Sequence, residues 1–166
     1  MATQENLAAA FAGESQANRK YLAFAKKAQK DGYPQIAKLF RASAEAETVH
    51  ALAHFKVMGG IKTTAENLQA AMDGESYEFT NMYPKFIEEA KKEKNAAAEK
   101  SFQNASDVEK IHHKHYEAAF QSLKEGKDMP ASPIYICDIC GNTTMDGIPD
   151  TCPVCGAKKE HFIEIQ

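Results

Sequence analysis

Glu109-Lys110-Ile111-His112 and its earlier counterpart Glu47-Thr48-Val49-His50 decide the reading of this 166-residue chain. Each is a Glu-x-x-His in the middle of a long helical pattern. Residues three apart on a helix share a face, so each motif aims one carboxylate and one imidazole at a common point. Two such motifs on facing helices, with one inward glutamate from each remaining helix, build a carboxylate-bridged di-iron or di-manganese centre inside a four-helix bundle. The supporting acids are Glu14, and Glu75 with Glu78.

Working outward, Leu7, Phe11, Glu14, Asn18, Tyr21, Ala25 and Ala28 alternate at spacings of four and three, the seam of a bundle helix. Gly32 and Pro34 stop it and start the next, which must run back alongside it. The second seam is Ile36, Phe40, Ser43, Glu47, His50, His54 and Val57, ending at Gly59-Gly60. A Thr63-x-x-Glu66 capping box opens a third helix through Leu68, Met72, Glu75, Phe79, Met82 and Phe86. Glu78 sits on its shoulder, and Pro84 is expected to kink it. After a break near Lys94-Asn95 a fourth helix carries Ala98, Phe102, Ala105, Glu109, His112, Tyr116 and Leu123 to Gly126. Moving the first half along by about sixty residues superposes Tyr21 on Tyr83, Phe24 on Phe86, Phe40 on Phe102, Glu47 on Glu109 and His50 on His112. That internal repeat predicts two like hairpins around a pseudo-two-fold metal site.

Buried glutamates are costly unless paired or metal-bound, and here they recur on every seam. A ligand set of carboxylates and two imidazoles suits iron or manganese better than a thiolate-seeking metal. Tyr21 and Tyr83, a turn or two beyond the inward acids, are either ordinary core residues or hydroxyl donors to ligand carboxylates. His54, His113, His115 and His161 are read as non-ligands.

Residues 127–133 read as a linker. Beyond it, residues 134–166 hold Cys137-x-x-Cys140 and Cys152-x-x-Cys155. This segment is too small for a core of its own, so a metal is expected to hold it together. Tetrahedral sulfur suits both zinc and iron, and spacing alone favours a zinc ribbon. The net charge of -3 and pI near 6.1 give no basic footprint for nucleic acid. No apolar run reaches membrane-spanning length and the first residues do not read as a signal peptide, so a cytoplasmic protein is expected.

Both sites together resemble rubrerythrin across essentially the entire chain. The matching words are Ala12-Gly13-Glu14-Ser15-Gln16-Ala17, Glu47-x-x-His50, Gly74-Glu75-x-x-Glu78, Met82-Tyr83-Pro84, Glu109-x-x-His112 and the two cysteine pairs. The resemblance implies a mainly α chain, with a ferritin-like di-iron four-helix bundle over residues 1–126 and a rubredoxin-like domain over 134–166. It implies a peroxidase that reduces hydrogen peroxide to water, with two irons in the bundle and a single redox iron on Cys137, Cys140, Cys152 and Cys155. Glu14, Glu47, Glu75 and Glu109 then resemble terminal or bridging carboxylates and His112 an imidazole ligand. Glu78 and His50 resemble the pair that exchanges at one iron. Electrons are expected from a rubredoxin or from NAD(P)H through a separate reductase, because no dinucleotide fingerprint is visible.

One departure concerns the connection near Gly59 to Thr63, which is short. Five residues reach at most ~18 Å, whereas a bundle helix of about twenty-five residues is ~37 Å long. The expected assembly is therefore a homodimer that exchanges hairpins, with a simple up-down-up-down bundle as the alternative. The short linker suggests that the two metal centres also meet across subunits. Two other functions stay open: a ferroxidase, which has no need of an electron-carrying tail, and a metal-binding protein with a structural zinc ribbon.

Overall fold

The computed structural model describes residues 2–166, which form two compact units, one up to Lys62 and the other Thr63–Gln166. Among these residues no helix is long and apolar enough to cross a membrane.

The first unit is a hairpin of α1 (Ala2–Lys30) and α2 (Pro34–Val57). Its turn follows the sequence logic: Gly32 takes φ +85°, a left-handed conformation that costs glycine nothing, and Pro34 opens α2. The residues buried between the helices are small, namely Ala25, Ala28, Ala37, Ala44 and Ala51, which lets the backbones approach closely. One polar residue joins them. Asn18 is 6% exposed and donates from Nδ2 to the Ala44 carbonyl at 2.6 Å and to Thr48 Oγ1 at 2.8 Å. Aromatic rings fill in on either side of that contact. Phe11 stacks on Phe55 at 5.0 Å, and Tyr21, Phe24 and Phe40 form a triad with centroids 5.6–6.3 Å apart. Gly60 passes directly over the Phe55 ring, where a Cβ would overlap it.

The second unit begins with α3 (Thr64–Tyr77), opened by the expected capping box: Thr63 accepts from the Glu66 N–H, and Glu66 accepts from the Thr63 N–H. The expected single third helix is divided. A π-helical turn spans Glu78–Met82, and α4 (Tyr83–Lys92) follows. The distortion therefore lies just before Pro84 rather than at it. Proline has no N–H to offer the Thr80 carbonyl, so the α-helical ladder fails there. The chain widens instead, and the Tyr83 N–H reaches five residues back to the Glu78 carbonyl. Lys94, at φ +56°, and the N-cap Asn95, whose Oδ1 accepts from the Ala98 N–H at 3.1 Å, make the break before α5 (Ala96–Lys124). Tyr83, Phe86 and Phe102 reproduce the aromatic triad of the first unit, with centroids 5.6–6.3 Å apart.

The same unit ends in a small antiparallel sheet, ordered β2 (Thr143–Thr144), β1 (Ile134–Cys137) and β3 (Phe162–Ile165). Its register sets Ile136 opposite Thr143 and Cys137 opposite Phe162. Cys137, Cys152 and Phe162 are its buried residues, together with Asn142, and Tyr135, Val154 and Ala157 pack around the cluster. So small a core supports the reading that metal ligation holds this part together.

Candidate metal centres

The i, i+3 spacing on α2 and α5 does what helical geometry requires. Glu47 Oε2 lies 3.0 Å from His50 Nδ1, and Glu109 Oε2 lies 2.8 Å from His112 Nδ1. In the first unit Glu14 joins Glu47 and His50, with one ligand atom of each within 4.8 Å of the others. In the second, Glu75 joins Glu109 and His112 within the same limit, with Glu75 Oε1 3.8 Å from His112 Nδ1. Each unit thus carries one carboxylate–carboxylate–imidazole set built from two of its own helices.

The electrostatics show what these sets lack. The side-chain hydrogen bond to Glu47 raises the Glu14 carboxyl above its ordinary value and lowers that of Glu47. In the second unit burial, and then the charge of Glu109, push Glu75 up to about 7. Two carboxyls in contact share a proton because like charges so close cannot both ionise. A divalent cation placed between them removes that conflict, so the residues fit a metal. The hydrogen bond to Glu109 raises the His112 imidazole as well.

Glu78, the first residue of the π turn, stands outside the second trio but within reach of its field. Burial raises its carboxyl, and the charge of Glu109 adds to the effect. Tyr83 is held above the ordinary phenol range by burial and by the charges of Glu78, Glu109 and Glu75, so it remains an O–H donor among acceptors. Tyr21 lies against the rings of Phe24 and Phe40. His54 is outside the first trio, though its charge is felt at Glu14.

The four cysteines converge, all sulfurs lying within 4.8 Å of one another and none in a disulfide. Cys137 Sγ is 3.8 Å from Cys155 Sγ, and Cys140 Sγ is 3.6 Å from Cys152 Sγ. A tetrahedron of thiolates on ~2.3 Å metal bonds has edges of about 3.8 Å, so the cage already has the size a metal needs. Burial pushes the Cys152 thiol up, but the N–H groups of Cys155 and Val154 outweigh it and bring it down to about 7. Burial raises the Cys140 and Cys155 thiols instead, so the cage by itself favours a thiolate at Cys152.

Family models match both parts: Rubrerythrin over residues 5–120, and the rubrerythrin rubredoxin-like domain over residues 135–163. The chain belongs to the rubrerythrin family. Rubrerythrin-2 of Clostridium acetobutylicum is 38% identical, with 96% of this chain and 95% of that one aligned. Nigerythrin of Nitratidesulfovibrio vulgaris is 36% identical, over 96% of this chain and 85% of its own. A solved structure of nigerythrin described as fully reduced, all ferrous, covers 98% of this chain and 86% of its own at 34% identity and a TM-score of 0.59. The fold is accordingly mainly α, a ferritin-like helical domain followed by a rubredoxin-like one, in an oxidoreductase family. The cofactors of this rubrerythrin-family chain are a di-iron centre and one iron at the four-cysteine site.

Two polar neighbours were not foreseen. His112 Nε2 lies 3.0 Å from Thr143 Oγ1, and His115 Nε2 lies 3.0 Å from the Thr143 carbonyl. The α5 ligand helix and the four-cysteine domain are therefore in contact within the one chain. Nothing in the local spacing around His115 signals this, since its partner is 28 residues away.

Proposed function

We propose that the chain is a non-haem di-iron peroxidase, reducing hydrogen peroxide to water with electrons supplied through its four-cysteine iron. The observation that carries this reading is the junction of two kinds of donor set in one unit: a carboxylate–imidazole trio whose His112 is hydrogen-bonded to the loop of a thiolate cage. A metal-storage protein has no need of that junction, and a structural zinc ribbon has no need to touch a ligand histidine.

Glu14, Glu47 and His50 would hold one side of the di-iron centre and Glu75, Glu109 and His112 the other, with Glu78 available beside them. Cys137, Cys140, Cys152 and Cys155 would hold the single iron. Bound there, paired irons supply Lewis acidity and two electrons at one place, which peroxide reduction requires. The chain's own residues do the rest. Glu78 offers a carboxylate outside the trio, free to approach or leave. His50, with a side chain 56% exposed, has the room to do the same. Tyr83 keeps its proton within the field of Glu78, Glu109 and Glu75, an O–H available to orient them; Tyr21 is given the matching part in the first hairpin. Consumption of H2O2 with two electrons and two protons gives two waters, and the electrons come from an external rubredoxin or an NAD(P)H-dependent reductase.

We infer further that the working unit is a homodimer in which the first hairpin of one copy completes the ligand set of the second hairpin of the other. The short connection after α2 and the self-contained trio in each unit support this. A metal-loaded monomer at assay concentration would disprove the exchange without touching the chemistry. The chemistry is tested by reducing the iron-loaded protein without oxygen and adding one equivalent of peroxide. Return of the visible iron–thiolate band as peroxide disappears is the expected result. A band that returns no faster with peroxide than with oxygen points to ferroxidase chemistry instead.

A further inference from the structure

A cavity of about 700 Å3 lies between α1 and α2, on the back of the first hairpin. Its floor is Leu22, Ala23 and Ala25. Four cations surround it, Arg19, Lys26 and Lys30 from α1 and Arg41 from α2, and no acid lines it. At about 100° of turn per residue, the three α1 cations lie roughly 120–160° around the helix from Glu14, and Arg41 lies about 180° around α2 from His50. The cavity is therefore on the opposite side of the hairpin from its metal-ligand candidates. In the hairpin-exchanged dimer inferred above, the ligand face is covered and this one is not.

The fold does not call for these charges. The repeat that superposes Tyr21 on Tyr83 and Phe40 on Phe102 also sets Glu88 at the place of Lys26, Lys92 at that of Lys30 and Gln103 at that of Arg41. In the second hairpin Glu88 and Lys92 form an i, i+4 ion pair at 2.5 Å, which supports a helix. In the first, Lys26 and Lys30 are like charges one turn apart, which weakens it. Neither they nor Arg19 and Arg41 form an ion pair among the described residues. Arg19 is also set in place. Its Nε donates to Asn18 Oδ1 at 2.8 Å, and Asn18 is the buried residue tied to the Ala44 carbonyl and to Thr48. The terminal N–H groups of a pre-oriented guanidinium are thus left uncommitted beside an apolar floor, ready for an anion.

We propose that this cavity binds a single-chain anionic amphiphile, a long-chain carboxylate, with its headgroup held by Arg19, Lys26, Lys30 and Arg41 and its tail laid on Leu22, Ala23 and Ala25. The volume falls in the range of small-molecule sites, and an apolar floor with a few placed charges is how such sites are built. An inorganic anion satisfies the cations and leaves the floor wet, and a neutral lipid does the reverse. A second copy meeting this face about a two-fold axis sets cation against cation. Binding here is non-covalent and moves no electron, so it stands apart from the peroxidase reading.

The test is isothermal titration of monomeric decanoate into the full-length, iron-loaded protein, with methyl NMR of the zinc-loaded protein to locate the site. One equivalent is expected to bind, shifting the methyl signals of Leu22, Ala23 and Ala25. Decanol and inorganic phosphate are each expected to bind at least about tenfold more weakly, since each satisfies only half of the site. Arg41→Gln and Lys26→Glu copy the residues of the second hairpin. Each is expected to weaken decanoate binding about ten- to hundredfold, the worth of a hydrogen bond to a charged group. Lys26→Glu also gains a partner in Lys30, so its Tm should rise while binding falls, which separates a lost site from a damaged fold. An unchanged visible band checks both variants. No binding by the wild type overturns the proposal, as does decanol binding as tightly as decanoate, or wild-type affinity in both variants. Methyl shifts confined to other residues overturn it too. Attachment to phosphatidylglycerol vesicles without binding of the monomer would make the face a membrane contact instead, and refute the proposal.

Discussion

Loading of the helical metal site should depend on pH in a way set chiefly by Glu75. Its carboxyl titrates at about 7 because it is buried beside Glu109. A metal accepts only the carboxylate. With a pKa near 7 about a tenth of Glu75 is ionised at pH 6 and about nine tenths at pH 8, so this one group weakens metal affinity roughly tenfold between pH 8 and pH 6. The sign follows from the direction of the shift. A carboxyl raised in the folded state favours folding most below its ordinary value of 4.5 and loses that contribution as pH rises towards 7. The metal-free protein is thus strained most where metal binds best, and binding relieves the strain. Isothermal titration of cobalt(II) into protein whose four-cysteine site already holds zinc, repeated in buffers of different ionisation enthalpy, gives both affinity and protons released. Wild type should release at least half a proton at pH 7. In Glu75→Gln the pH slope should flatten, at lower overall affinity. An affinity unchanged between pH 6 and 8, or a slope that survives Glu75→Gln, would refute this assignment of the proton.

Other expectations concern the scaffold. Asn18→Ala removes the side chain that ties α1 to the Ala44 carbonyl and Thr48, and should cost about 1–3 kcal/mol in urea unfolding while leaving the thiolate band unchanged. Gly60→Ala drives a methyl into the Phe55 ring and should destabilise by about 1–3 kcal/mol through loss of the Phe11–Phe55 stack, read as a lower Tm. Cys152→Ser should abolish the visible band and release the small sheet, seen as rapid amide exchange over residues 134–137, with helical circular dichroism retained.

What the sequence made legible was local. Glu47 with His50, Glu109 with His112, the Thr63–Glu66 box and the cysteine pairs are short-range patterns whose geometry is dictated by helix pitch or knuckle shape. The repeat of Tyr21, Phe24 and Phe40 at Tyr83, Phe86 and Phe102 was equally visible, and each triad closes within its own hairpin. The π turn was missed because the period of the seam does not reveal how a helix absorbs a missing N–H; only the competition at Pro84 decides between a kink and a wider turn. The Thr143 contacts were missed because they join residues 28 and 31 apart through tertiary packing. Asn18 was placed on the seam, but its bonds to α2 depend on how closely an alanine-lined pair of helices can approach.

The likeness of the two hairpins has a historical reading. A half-length ancestor that paired with its own copy would present two identical sets of ligands, and joining two such genes would free the copies to drift apart. They have done so in telling places. The second copy gained a widened turn at Glu78 and a threonine neighbour for its histidine, while the histidine of the first stayed open to solvent. Duplication supplied the geometry of a matched pair, and divergence made its members unequal: in the single chain one histidine is bonded to Thr143 and the other is open.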